Sequence, residues 1–242
     1  KAPASTTKIM TAILALEGGK LDEIVTVSKH AASVGEASLY LQQGEKLTLR
    51  ALLYGALLES GNDACVAIAE HIGGNEENFI LLMNQKAKLI GALSTSLKNT
   101  NGLPEANHYT TARDLATIAR YALCNQVFKQ IVATPEAIIE SSIGKRYLKN
   151  TNRLLTIYNG ADGVKTGTTV EAGDCLVASA TRDGRQLISV VLHSQDRWRD
   201  SIALLDCGFK NYVTLQVIKE GAIVGTLEIE DGTPAEIKAV AS

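Results

Sequence analysis

Two apolar, β-prone runs, Cys175 to Thr181 and Gln186 to His193, stand on either side of Asp183-Gly184. Asp-Gly between such runs favours a tight turn with both central residues at positive φ, so this stretch predicts an antiparallel hairpin. A third β-prone stretch, Val164 to Thr169, precedes it. A sheet built from these strands has apolar faces to cover, and the rest of the chain supplies helices to cover them. Ser5 to Leu16 reads as a helix stopped by Gly18-Gly19, and Leu47 to Leu58 as a second, very apolar one. Asp63 to Ile72 follows, closed by Gly73-Gly74, and then Glu76 to Ile90, with Phe79, Leu82, Met83 and Leu89 as core contacts. Thr111-Ala112-Arg113-Asp114 resembles a capping box opening a helix to Leu123. The stretch from 47 to 124 is therefore expected to be mostly helical. Asp200 to Phe209 returns to helix after the sheet.

The expected fold class is α+β: an antiparallel sheet flanked by helices, with a mostly helical insert. After Tyr212 the pattern changes again. Val213 to Ile218, Ala222 to Ile229 and Ala235 to Val240 read as short strands, with turns at Glu220-Gly221 and Asp231-Gly232. We divide the chain into residues 1–211, a catalytic domain, and 212–242, the beginning of a small C-terminal β module.

With 242 residues and 45% hydrophobic content, the chain can bury a large core. The net charge is -2 and the cations are spread along the sequence, which argues against a nucleic-acid partner. Cys65, Cys124, Cys175 and Cys207 form no CxxC pair and read as buried or half-buried free thiols. His30, His71, His108 and His193 are scattered singly, so no metal site is expected. No apolar run is long enough for a membrane span, and no signal peptide precedes Lys1.

Three short motifs carry chemistry. Ser5-Thr6-Thr7-Lys8 is S-x-x-K and opens an apolar helix; Ser60-Gly61-Asn62 is S-x-N, between two helices; Lys165-Thr166-Gly167 is K-T-G, on a strand. Each is common enough to arise by chance, and Ser142-Ile143-Gly144-Lys145 is a second S-x-x-K in this chain. That copy is set aside because Gly144 disfavours a helix there. The order and setting of the other three carry the argument. Residues i and i+3 of a helix share a face, so Ser5 and Lys8 project side by side. A serine hydroxyl is a poor nucleophile until a neighbour takes its proton, and an ammonium cannot take it. Lys8 must therefore be neutral for part of the time, which burial and a nearby cation such as Lys165 favour. The free N–H of Ser5 at a helix start is a natural half of an oxyanion hole.

The three motifs together match the set found in penicillin-binding proteins and related β-lactamases. From Pro3 to about Tyr212 the chain resembles the D-alanyl-D-alanine carboxypeptidases among the low-molecular-mass penicillin-binding proteins. The segments that carry the resemblance are Pro3 to Ala12, Glu59 to Ala64, Asn107 to Ala116 and Asp162 to Gly167. The resemblance implies a β-lactamase/transpeptidase-like fold and an acyl-enzyme on Ser5, with Lys8 as base. It implies that Ser60 relays a proton to the leaving amine, that Asn62 holds the substrate amide and that Lys165 tunes the electrostatics. Thr166 would bind the terminal carboxylate, Gly167 would continue the motif, and the N–H groups of Ser5 and Thr168 would form the oxyanion hole. Arg197, and by a looser match Arg153, would steer the substrate carboxylate. No cofactor is implied. The implied partners are peptidoglycan stem peptides ending in D-Ala-D-Ala and β-lactams, at an extracytoplasmic location.

The chain also departs from the family. Only Lys1 to Ala4 precede the nucleophile segment, where relatives have a longer lead-in with a strand, and 31 residues follow Asn211. The expectation is a native N-terminal strand, a fuller C-terminal domain and membrane association only through segments outside this chain. Two other readings remain open. A class A-like β-lactamase needs a glutamate to activate the deacylating water, and Ser94 to Thr100 contains no acidic residue. A non-catalytic penicillin sensor would not need the full set of residues, which is present.

Overall fold

The computed structural model describes every residue except 216, 229, 231, 232, 234, 235 and 242. The chain divides into two compact units, Lys1–Gly208 and Phe209–Ser242.

A 3-10 turn, Ala4–Thr7, leads into α1, Lys8–Gly18. Every residue of α1 from Lys8 to Ala15 is buried, so the helix is apolar on nearly all sides and forms the axis of the unit. It stops at Gly18, where a Cβ would lie 2.9 Å from Ile72. Two short strands follow around a small helix: β1, Ile24–Thr26; α2, Lys29–Ser33; and β2, Lys46–Thr48. Next come α3, Leu49–Leu58, α4, Asn62–Gly73, and α5, Glu76–Leu89. A long loop then reaches α6, Ala112–Ala122, and α7, Gln126–Ala133. The hairpin β3, Glu136–Ser141, and β4, Gly144–Lys149, completes a four-stranded sheet in the order β1-β2-β3-β4. After α8, Leu154–Ile157, the main sheet forms from β5, Ala161–Thr169, β6, Gly173–Arg182, and β7, Arg185–Ser194. It is antiparallel, in the order β5-β6-β7. The last helix is α9, Arg197–Asn211.

The local chemistry explains the boundaries. Thr48, Asn75 and Thr111 each accept a backbone N–H at the start of α3, α5 and α6, caps that contribute about 1 kcal/mol apiece. Asp183 and Gly184 take φ of 50° and 73°, as the β6–β7 turn requires. Cys175 to Ala180 on the central strand β6 are all buried, because packed elements cover both faces.

Several expectations change. The nucleophile segment is a 3-10 turn before the α-helix. The helix expected from Leu47 begins at Leu49, because Thr48 is extended to cap it while Lys46–Thr48 pairs with β1. The stretch from 47 to 124 is mostly helical, as expected, but residues 90–111 form a loop bridged at Ser96 and Tyr109, and the four-stranded sheet flanking this stretch is an addition to the expected architecture. The rejected Ser142 to Lys145 lies in the β3–β4 hairpin, with Gly144 at φ 140° and Lys145 paired to Glu140. Among the described residues no cysteine is joined in a disulfide; Cys65 and Cys175 are buried, but Cys124 and Cys207 are exposed.

In the second unit β8, Ile223–Glu228, pairs antiparallel with β9, Glu236–Val240. The strand expected over Val213 to Ile218 is absent among its described residues, and Asp231-Gly232 lies outside them. Among the described residues, no helix is long and apolar enough to cross a membrane.

Candidate active site

A 3-10 helix has three residues per turn, so positions i and i+3 eclipse. Lys8 therefore stands directly over Ser5, with Nζ donating to Ser5 Oγ at 2.7 Å. The turn is fixed from several sides. Thr6 Oγ1 donates to Pro3 O, Thr7 Oγ1 meets His108 Nε2 at 3.0 Å, and Ala4 is held at φ 47°. Two glycines press against it. Gly102, at φ 90°, has no room for a Cβ beside Ala4 O, and a Cβ on Gly167 would lie 2.9 Å from Ser5 N.

Lys8 is completely buried. Its amine donates to three acceptors: Ser5 Oγ, Asn62 Oδ1 at 2.8 Å and Asn101 O at 2.7 Å. The two carbonyl-type oxygens can only accept, so they retain two N–H bonds when the group loses a proton. The lone pair then falls toward Ser5. Burial lowers the pKa of Lys8 from 10.5 to about 8, against the opposing fields of Cys65, Asp63 and Glu36.

Ser60 sits at φ 66°, in the break between α3 and α4. Asn62 opens α4, and its Nδ2 donates to Gly35 O at 3.0 Å while its backbone N–H donates to Ala37 O. Asp63, fully buried, accepts from Ser38 Oγ and from the N–H groups of Leu39, Leu41 and Ala64. Residues 35–41 are thereby tied to the S-x-N turn as a wall of the cleft.

Strand β5 forms the opposite wall. Lys165 is 1% exposed, and its amine donates only a 3.2 Å bond to Thr166 O among the described residues. Burial, then the charges of Lys8 and Arg197, lower its pKa from 10.5 to about 7. Thr166 Oγ1 pairs with Thr151 Oγ1 at 2.7 Å. Arg197 Nη1 donates to Gly167 O at 3.0 Å and Thr168 Oγ1 at 2.7 Å and pairs with Asp174.

The structure thus brings Ser5, Lys8 and Asn62 into direct contact, sets Ser60 beside Asn62, and lays Gly167 against Ser5. Arg197 reaches the motif strand. Arg153 is exposed and, among the described residues, its side chain reaches the ring of Trp198, 5.6 Å away, which also lies 5.0 Å from Arg197. Sequence reasoning missed Asn101, Thr151, Asp63 and Gly102. Of these, Asp63 lies in the Glu59 to Ala64 segment of the resemblance, and Gly102 left a signal as the Asn101-Gly102 turn dipeptide. Among the described residues no cluster suited to a metal ion occurs.

The model of the D-alanyl-D-alanine carboxypeptidase family matches residues 1–196. The chain belongs to this carboxypeptidase family. Among the family's curated proteins, D-alanyl-D-alanine carboxypeptidase DacF of Bacillus subtilis (strain 168) is 41% identical over 240 residues, covering 96% of this chain and 62% of the relative. D-alanyl-D-alanine carboxypeptidase DacC of Escherichia coli (strain K12) is 38% identical over 250 residues, covering 97% and 62%. The chain therefore spans about three-fifths of the length of these relatives. Among solved structures, the Streptomyces K15 DD-transpeptidase superposes with a TM-score of 0.81 at 36% identity, covering 86% of this chain and 88% of that one. The carboxypeptidase DacD from Francisella tularensis gives 0.85 at 32% identity, covering 100% and 73%. The mixed helix and antiparallel-sheet fold is the penicillin-binding fold of these carboxypeptidase-family relatives.

Proposed function

We propose that the chain removes the terminal D-alanine from peptidoglycan stem peptides through an acyl-enzyme on Ser5, and that β-lactams acylate the same residue. The observation that carries this reading is the buried Lys8 amine, 2.7 Å from Ser5 Oγ, with two further partners that can only accept. Lys8 Nζ takes the Ser5 proton as Oγ attacks the carbonyl between the two D-alanines. The N–H groups of Ser5 and Thr168 stabilise the oxyanion. The tetrahedral intermediate collapses, the C–N bond breaks, and the leaving amine takes a proton from Ser60, which regains one from the Lys8 ammonium and so returns Lys8 to its neutral form. Asn62 holds the substrate amide, while Lys165, Thr166 and Arg197 present positive charge and a hydroxyl to the terminal carboxylate. Arg153, 5.6 Å from the Trp198 ring, adds its charge to the steering of that carboxylate. Water then hydrolyses the ester. The substrate places the reaction outside the cytoplasm.

The test is D-alanine release from diacetyl-lysyl-D-alanyl-D-alanine by the chain and by Ser5→Ala. Release that disappears in the variant is expected. Stoichiometric β-lactam labelling with no D-alanine released would favour the sensor reading, and sustained nitrocefin turnover would favour a β-lactamase.

A further inference from the structure

The cleft has two electrically different walls. On the β5 side stand Lys165 and Arg197. On the other side two carboxylates act on Lys8, Asp63 and Glu36. Asp63 is fully buried and its oxygens are taken by four donors. Glu36 is exposed, and no salt bridge among the described residues engages it.

The placement of Glu36 is specified closely. Its neighbours Gly35 and Ala37 both give their carbonyl oxygens to Asn62, at 3.0 and 2.7 Å. Asp63 holds the next residues, and Arg146 Nε donates to Leu39 O at 3.0 Å. Glu36 itself lies at φ 62°, a left-handed conformation that costs a non-glycine residue of order 1 kcal/mol or more and persists only where surroundings enforce it. The loop thus keeps an acidic residue beside Asn62 in a conformation that glycine would adopt at lower cost.

This inference rests on the carboxypeptidase reading. There the terminal carboxylate goes to the β5 wall and Asn62 holds the amide of the acyl half, so the peptide upstream of the penultimate D-alanine runs toward residues 35–37. We propose that Glu36 is a specificity-determining residue that selects peptides carrying a free amine on the side chain preceding D-Ala-D-Ala. A carboxylate at one end and an ammonium upstream match the two walls of the cleft.

The experiment compares kcat/KM for D-alanine release from Nα-acetyl-lysyl-D-alanyl-D-alanine, with its ε-amine free, against the diacetyl peptide. The wild type is expected to favour the free amine by about two- to five-fold at low salt, the range of a solvent-exposed ion pair, and less at high salt. Glu36→Gln is expected to abolish the preference and Glu36→Asp to retain part of it. Should Glu36→Gln not fold, the wild-type preference and its salt dependence decide. Equal rates on the two peptides, a preference insensitive to salt, or one that survives in Glu36→Gln would overturn the proposal and leave the carboxypeptidase reading intact. No release from either peptide would overturn both.

Discussion

Replacing Lys165 by methionine should make this protein more stable while abolishing the proposed acylation. The side chain is 1% exposed and gains one long hydrogen bond, to Thr166 O, for being buried. Moving its pKa from 10.5 to about 7 corresponds to about 5 kcal/mol lost in holding the ammonium in the fold. Methionine has similar length, fills irregular space and carries no charge. Allowing for the lost bond and for relaxation, a gain of about 2–5 kcal/mol is expected at pH 6. For a unit of this size each kcal/mol raises Tm by about 2–4 °C. The pH dependence supplies the stricter check. Folded Lys165 loses its proton near 7 and unfolded Lys165 near 10.5, so between those values the unfolded chain binds more protons and wild-type stability rises with pH. The advantage of Lys165→Met is therefore full below about pH 7 and shrinks toward pH 10. Thermal unfolding of both proteins from pH 6 to 10 measures it. A variant no more stable than wild type, or a gap that does not narrow with rising pH, would refute the reasoning.

Three further outcomes follow from the geometry. Gly167→Ala sets a Cβ 2.9 Å from Ser5 N and 3.1 Å from Pro3 O, backbone atoms that cannot swing aside. It should cost about 1–3 kcal/mol in a melting experiment, and slow labelling by a fluorescent penicillin at least about ten-fold as the nucleophile turn shifts. Asp63→Ala leaves Ser38 and the N–H groups of Leu39 and Leu41 without their acceptor, and should lower stability in denaturant titration by at least about 3 kcal/mol. Because Lys8 must be neutral to accept the Ser5 proton, β-lactam acylation should rise with pH through about 8 and then level; a rate flat from pH 5 to 9 would exclude Lys8 as the base.

The sequence made legible those parts of the site whose side chains repeat a pattern. Lys165 stands on a strand with a hairpin signal after it, and Ser60 to Asn62 breaks two strongly apolar helices. Asn101 was hidden because it contributes a backbone carbonyl, which any residue could provide. β1 and β2 are three residues each, too short for alternation to show; they pair with each other, and β2 alone pairs with the distant β3, through Leu47 and Ser141. The nucleophile segment reads as ordinary helix because a 3-10 turn draws on the same residues as an α-turn, and the tighter winding comes from Gly102 and Gly167 pressing on it. In sequence Arg197 matches a family arginine and Arg153 matches more loosely. They separate in the structure because Arg197 donates to Gly167 O and Thr168 Oγ1 on β5, whereas Arg153 lies against the ring of Trp198.

Unfavourable local choices occur at the three motifs. Ala4 and Ser60 hold positive φ without being glycine, and two lysines are buried with their charges opposed by their surroundings. Strain of this kind persists only where the packing around it over-determines the geometry. The packing here does so: α1 is buried from Lys8 to Ala15, and the central strand from Cys175 to Ala180. A buried amine relieved of its proton needs fixed acceptors rather than solvent, and the chain draws them from Asn62 and Asn101, 54 and 93 residues from Lys8. Such a base cannot be assembled locally on one helix. It exists only when the insert has closed over the helix that carries the nucleophile, so loosening the insert at Asp63 should cost reactivity as well as stability.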